Sequence, residues 1–348
     1  MIGLSLAGGG VKGSYEVGAY FALKKCHIKI DGFVGTSIGS FNAAMLCAGM
    51  EYELLKFWQS VDVGEVLNFD KSFTDILLNK KKSIKDIKDL LSYVKNIVKN
   101  KGVSTDGLKK IVESYNLEPS IRKSNKDFGL VTVKFNKIKP LYLFKEDIEQ
   151  GKLNDYILGS CYFPIFKQEK MIDNSYYIDG GFYDNSPANM LLNKGYDKVY
   201  IIDLEAVGFK QKIKDKSRVV IIKPSRSIGG VFNLDSKKIN YNIKLGYFDT
   251  LKVLKNLDGK KYIFKKKSNW FYKRLIRKVK SRRLKEMQLF FKTKDIKELI
   301  ISALEYIMMS EQYEYTCIYN PLKVIKEVKK NKKNPIGVYK FICELSFF

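Results

Sequence analysis

The chain has 348 residues, 45% of them hydrophobic, which excludes disorder of the whole chain and supplies the core of one large α/β domain with room for a helical appendage. Its net charge of +26 is uneven: residues 1 to 205 carry 28 basic and 25 acidic side chains (+3), and residues 206 to 348 carry 35 and 12 (+23). The five cysteines, Cys26, Cys47, Cys161, Cys317 and Cys343, are odd in number and never closely paired, which argues against a disulfide framework or a zinc site and for a reducing compartment.

Met1 to Gly10 has neither a charged leader nor a long apolar core, and no stretch approaches the roughly 18 apolar residues of a membrane span. A cytoplasmic protein whose membrane contact is at most peripheral is expected. Ile2 to Leu6 reads as a strand, Gly8-Gly9-Gly10 as a turn and Tyr15 to Lys24 as a helix. Phe33 to Gly35 is a second strand, followed by Thr36-Ser37-Ile38-Gly39 and a small-residue helix over Ser40 to Ala48. This doubled strand-turn-helix pattern predicts a mostly parallel sheet covered on both faces.

Residues 51 to 116 read as a helical insertion and candidate lid, with Thr105 as a helix cap. Leu130 to Phe135 and Leu141 to Phe144 return to strand, Leu153 to Ser160 is a short helix, and Tyr176 to Ile178 is a strand leading into Asp179-Gly180-Gly181. Val199 to Leu204 and Val219 to Ile222 have the β-branched character of buried parallel strands. A helical pattern resumes over Ile239 to Leu257, and beyond Asp258 the chain is Lys-rich, helical and interspersed with aromatics. The reading is therefore a domain over 1–257 and a basic helical region over 258–348.

Gly35-Thr36-Ser37-Ile38-Gly39 is G-x-S-x-G between a strand and a helix, the setting that exposes a nucleophilic hydroxyl at a sheet edge. A glycine turn with a serine helix cap is the plainer alternative. The single histidine, His27, precedes Ser37 by ten residues at the end of the first helix, so a Ser-His-Asp triad is not expected and a carboxylate or lysine must act as base. Asp179 ends a strand and is followed by two glycines that let a substrate approach the backbone, although Asp-Gly-Gly also suits an ordinary turn. Gly8-Gly9-Gly10-Val11-Lys12-Gly13 leaves several amides open at a helix mouth, where an anion or oxyanion binds. The same loop fits the dinucleotide pattern, but the required acidic residue would be Asp31, which precedes the second strand.

In this order the three motifs resemble the patatin-like phospholipase family, as do Ser160-Cys161-Tyr162-Phe163-Pro164-Ile165-Phe166, Asp184-Asn185-Ser186-Pro187 and Gly246-Tyr247-Phe248-Asp249. The resemblance covers roughly residues 1 to 257 and implies a three-layer α/β/α fold with a mostly parallel central sheet. It implies a Ser37–Asp179 dyad that cleaves fatty-acyl esters of phospholipid or lysophospholipid through an acyl-enzyme, without cofactor or metal. It also implies an oxyanion hole from the amides of Gly8, Gly9, Gly10 and Ile38, supported by Lys12, Gly13, Gly35, Gly39, Gly180 and Gly181. Lys12 stands where family members often carry arginine, which keeps the charge but loses the bidentate fork. A catalytically weak lipid-binding relative and a dinucleotide-binding enzyme are the alternatives. In the basic region, Trp270-Phe271-Tyr272-Lys273-Arg274 sets aromatics in a cationic run that suits an anionic membrane surface. The alternative is a helix that packs its aromatics and leaves lysines in water; nucleic acid is not expected, because no recognition motif accompanies the charge.

Overall fold

The computed structural model describes residues 1–60, 105–135, 139–163, 166, 169–231, 235–331 and 335–347. They pack as two compact units, Met1–Tyr247 and Phe248–Phe348. The division falls inside one long helix, ahead of the 257/258 boundary drawn from the sequence.

In chain order the first unit contains β1 (Ile2–Leu6), α1 (Ser14–Lys25), β2 (Gly32–Thr36), α2 (Ile38–Cys47), α3 (Glu51–Ser60), α4 (Asp106–Ser114) and α5 (Leu117–Lys123). There follow β3 (Asp127–Lys134), β4 (Lys139–Phe144), α6 (Leu153–Ser160), β5 (Tyr177–Asp179), α7 (Ala188–Asn193), β6 (Lys198–Ile202), β7 (Val219–Ile222) and the long α8 (Ser236–Leu254). The strands form one seven-stranded sheet in the order β4-β3-β2-β1-β6-β7, with β5 paired to β3. Strands β3, β2, β1, β6 and β7 run parallel, and β4 and β5 run antiparallel to β3.

Alternation along each strand loads both faces. Val34, Val131, Val199 and Ile201 pack on Ala188, Leu191 and Leu192 of α7. On the other face Phe33 meets Tyr20 of α1, ring centroids 6.2 Å apart, and Thr132 donates to the Gly159 carbonyl of α6 at 2.9 Å. This is a three-layer α/β/α arrangement around a mostly parallel sheet.

Two local expectations come out differently, and a third is only partly covered. Val219 to Ile222 is a strand but lies at the sheet edge, so only Ile222 is fully buried and Ile221 faces solvent. Thr105 occupies the N-cap position of α4 without capping it; its hydroxyl pairs with that of Tyr162 at 3.4 Å. Of the helical insertion, α3 and α4 are its described ends, and the candidate lid otherwise lies outside the described residues.

The second unit takes in the end of α8, then β8 (Ile263–Phe264), α9 (Asn269–Leu275), α10 (Ser281–Phe291), α11 (Ile296–Ser310), β9 (Ile318–Tyr319), α12 (Pro321–Asn331) and α13 (Gly337–Glu344). The parallel pairing of β8 with β9 was not foreseen, since two-residue strands carry no periodic signal. Leu299, Ile300, Ala303, Leu304, Ile307 and Met308 form the core stripe of α11, whose N-cap Asp295 accepts from the Glu298 amide at 2.7 Å. One oxygen of the buried Glu305 accepts the amides of Lys260, Lys261 and Tyr262 at 2.6, 2.7 and 3.0 Å, pinning the turn before β8.

Candidate active site

Strand pairing brings the two expected reactive side chains together. β2 runs along one edge of β3 until Thr36 stands opposite Val131. β5 comes from the other direction along β3 and ends with Asp179 opposite Thr132, the next residue. The ends of β2 and β5 therefore abut, with Ser37 just past one and Asp179 at the other.

Ser37 has φ 56° and ψ −134°, a backbone conformation that costs about 1–3 kcal/mol for a residue with a side chain. Surrounding contacts hold it there. Its amide donates to Ser160 Oγ at 2.9 Å, and that hydroxyl donates to the Val131 carbonyl at 2.7 Å. Ser40 Oγ donates to the Ser37 carbonyl at 2.6 Å, and Thr36 Oγ1 to the Asp184 carbonyl at 2.8 Å. The tight turn leaves no space at Gly35 and Gly39: a Cβ on Gly35 would sit 2.2 Å from the Gly39 carbonyl oxygen, and one on Gly39 2.5 Å from that of Leu6.

Asp179 is buried, 4% exposed. Burial pushes its carboxyl up to about 6, while the neighbouring Ser37 hydroxyl and the Gly181 amide favour the charged form. Oδ1 accepts the Gly181 amide at 2.7 Å.

The glycine turn lies against this pair. Gly8 is so close to Ser37 that a Cβ on Gly8 would stand 2.9 Å from Cβ of Ser37, and one on Gly13 would stand 3.0 Å from Cγ2 of Ile38. Gly9 caps a short 3-10 turn over Gly10–Gly13, with Gly10 at φ 56°. Asn185 ties this turn to Asp179-Gly180-Gly181: its Nδ2 donates to the Gly8 carbonyl at 3.1 Å, and its carbonyl accepts the Gly8 amide at 3.4 Å. Lys12 is half-buried, with Nζ 3.5 Å from the Glu205 carbonyl, and desolvation lowers its pKa.

Asn185 and Ser160 were missed as functional positions, although both lie in segments singled out for their family likeness; nothing in a lone Asn or Ser reveals the backbone group it will hold. His27 sits in the exposed turn at the far end of α1 from the glycine loop. Asp31 accepts the Ile2 amide at 2.7 Å, at the opposite end of the strands from that loop, which removes the ribose-binding carboxylate of the dinucleotide reading. An open cleft of about 810 Å³ between Tyr142, Asp184, Asn189 and Lys214 is not lined by Ser37 or Asp179.

Residues 4–192 match the family described as patatin-like phospholipase. The chain belongs to that family. Among curated proteins, a patatin-family stretch of 207 residues is 25% identical to "Lysophospholipase nte1" of Aspergillus terreus, covering 59% of this chain and 12% of that protein. A stretch of 191 residues is 27% identical to "Probable lipid hydrolase 463L" of Invertebrate iridescent virus 6, covering 54% of this chain and 62% of that one. The chain thus spans less than two thirds of either relative. Among solved structures, VipD from Legionella pneumophila aligns with 94% of this patatin-family chain and 79% of its own at a TM-score of 0.46 and 15% identity. The type III effector protein ExoU aligns with 96% and 69% at 0.37 and 13%.

The expected membrane residues are divided by the structure. Phe271 and Tyr272 are buried in the core of the second unit and are corrected from surface contacts to core, because α9 turns that face onto α11. Trp270 is 61% exposed with the Arg274 guanidinium 5.1 Å from its ring centroid, and Lys273 is exposed. Among the described residues no helix is long and apolar enough to cross a membrane.

Proposed function

We propose that the protein is a serine acyl-ester hydrolase that releases fatty acid from phospholipid or lysophospholipid with Ser37 as nucleophile and Asp179 as general base. The observation that carries this reading is the abutment of β2 and β5, which sets a strained, exposed-turn serine beside a buried carboxylate. A pKa of about 6 suits a base at neutral pH: the group is ionised yet basic enough to take a proton.

Ser37 Oγ attacks the acyl carbonyl as its proton passes to Asp179. Amides of Gly9, Gly10 and Ile38 stabilise the oxyanion, helped by the positive end of α2, while the Gly8 amide, expected as a further donor, is taken by the Asn185 carbonyl. The tetrahedral intermediate expels the lipid alcohol, which takes the proton from Asp179 and leaves the acyl group on Ser37. Water then attacks the acyl-enzyme, giving its proton to Asp179, which returns it to Ser37 as the fatty acid leaves. The two curated relatives, one named as a lysophospholipase and the other as a probable lipid hydrolase, favour lipid esters as the substrate class. The test is fatty acid release from phospholipid vesicles, with chelator present, by wild type, Ser37→Ala and Asp179→Asn. Activity confined to wild type supports the dyad, and activity kept by both variants sinks it.

The basic unit meets an anionic lipid surface. Trp270 is exposed on α9, Leu289 (79% exposed) and Phe290 (55%) are exposed on α10, and the spacing of Arg282, Lys285 and Leu289 puts two exposed cations on the same face of α10 as an exposed leucine. A Leu289→Ser/Phe290→Ser variant should bind phosphatidylserine vesicles more weakly than wild type while keeping turnover of a soluble short-chain ester. Unchanged binding would locate the contact elsewhere.

A further inference from the structure

Behind the glycine turn lies a buried polar chain that the proposed chemistry does not use. Glu16, on α1, is 0% exposed, and so is Asn42, on α2. Asn42 Nδ2 donates to Glu16 Oε2 at 2.8 Å and to the Gly13 carbonyl at 3.0 Å, while its Oδ1 accepts from Trp58 Nε1 of α3 at 3.0 Å. Both N–H groups and one oxygen lone pair of the Asn42 amide side chain are thus taken. The Ala7 amide, at the entry to the turn, is also close enough to the Glu16 carboxyl to favour its charge, although Oε1 completes no standard hydrogen bond.

Both ends of the glycine turn, Ala7 and Gly13, are therefore linked to the side-chain pair Glu16–Asn42, and Asn42 stands one helical turn beyond Ile38. No cation faces Glu16 among these partners, and burial drives its carboxyl well above the ordinary range. A buried acid without a counter-ion is a costly choice for a helix face that an apolar residue could fill. What the acid adds is an acceptor that fixes the orientation of Asn42.

We infer that Glu16 is a positioning residue: through Asn42 it locks the glycine turn and the first turn of α2 in the register in which their amides meet on one oxyanion. This rests on the proposed hydrolysis at Ser37. The lock bears on the transition state and not on substrate capture, because misplacing oxyanion donors by a fraction of an ångström weakens charge stabilisation while leaving the acyl site intact.

The experiment uses the full chain, a soluble short-chain ester and a fluorophosphonate, whose phosphoryl oxygen needs the same donors. Glu16→Gln keeps an acceptor of the same shape and should stay within about twofold of wild type in kcat. Glu16→Met fills the volume without the acceptor and should lose about tenfold in kcat, with KM within about twofold and phosphonylation slowed in parallel. A folded Glu16→Met with wild-type kcat, or one whose loss lies in KM, overturns the inference. Should Glu16→Met fail to fold, Trp58→Phe removes only the indole N–H from the chain and should lower kcat about threefold at unchanged KM; wild-type kcat there overturns it equally. Ser37→Ala in the same assay separates the two readings, since activity surviving in that variant fails the hydrolase reading itself, whatever Glu16 does.

Discussion

The turns that follow β1 and β2 share one plan, a buried five-residue parallel strand, a glycine-lined corner and a helix returning over the sheet, yet they present opposite chemistry. The first corner, Gly8 to Gly13, offers backbone amides around one half-buried lysine. The second offers one side chain, Ser37, in a conformation that residues with a Cβ seldom adopt. They are neighbours because Leu6 pairs with Gly35 in the sheet. The contrast shows how one supersecondary unit, used twice side by side, can supply donors from one copy and a nucleophile from the other. It also shows where each copy is brittle: the second is closed by backbone against backbone at Gly35 and Gly39, whereas the first meets backbone at Gly10 but side chains that can move at Gly9.

That difference in brittleness gives the largest expected effect. Gly35→Ala would drive its Cβ into the Gly39 carbonyl at 2.2 Å, and no side-chain rotation relieves it. The variant should lose activity and about 3 kcal/mol or more of stability, read by thermal melting. Gly9→Ala would meet Leu204 Cδ1 at 2.9 Å and Ala206 Cβ at 3.2 Å, the first the end of a flexible side chain. It should fold with a loss of about 1 kcal/mol and lose turnover mainly through displaced amides. Equal destabilisation of the two variants would erase the distinction between the corners.

Asp179 supplies the next effect, and its sign can be worked out. The carboxyl rises from its ordinary 3.8 to about 6 on folding. Below pH 3.8 it is protonated in folded and unfolded chains alike and costs nothing. As pH rises from 3.8 to about 6 the unfolded carboxyl ionises while the folded one keeps its proton, so stability falls by roughly 3 kcal/mol relative to the acid limit and levels off above 6, where the folded chain buries the charge. Asp179→Asn should therefore melt higher than wild type at pH 8, by an increment that nearly vanishes at pH 4, while being inactive at both. The wild-type rate should climb through pH 6, since only the carboxylate can accept the Ser37 proton. A stability gain independent of pH would mean that burial does not perturb this group.

Most of the scaffold was legible in the residues. Short strand-like runs that stop at glycines, Ile2 to Leu6 and Phe33 to Gly35, with helical patterns after them, are local signals, and they set both corners where the structure has them. Ser37 and Asp179 were legible as types in the right settings, but only the family resemblance joined them: their meeting depends on β5 entering antiparallel along β3 where β2 stops, through the pairings of Thr36 with Val131 and of Asp179 with Thr132, which no periodicity encodes. Trp270 to Arg274 failed in another way. Alternating aromatic and cationic residues do not say which face of α9 turns inward, and the packing of α11 decides that Phe271 and Tyr272 are core. Glu16, Asn42, Ser160 and Asn185 left no sequence signal because each acts on a backbone group brought in from elsewhere.

The smallest effect separates the anchors of the two corners. Ser160 Oγ accepts the Ser37 amide and donates to Val131, so Ser160→Ala strands one buried N–H at the strained residue. Asn185 Nδ2 holds the Gly8 carbonyl, so Asn185→Ala frees the first corner and leaves Ser37 untouched. Each loss should cost about 1–2 kcal/mol, the usual penalty for a buried polar group left unpaired. Their kinetic signatures should diverge. Loosening Ser37 changes the nucleophile itself, so Ser160→Ala should slow sulfonylation by a small, uncharged sulfonyl fluoride and phosphonylation by a fluorophosphonate by similar factors. Loosening Gly8 perturbs the donors alone, so Asn185→Ala should lower ester turnover by about fivefold while the affinity for the ground-state ester holds. If Asn185→Ala instead raises KM with kcat intact, the first corner binds substrate and does not stabilise the oxyanion, and the division of labour between the two turns is wrong at its first term.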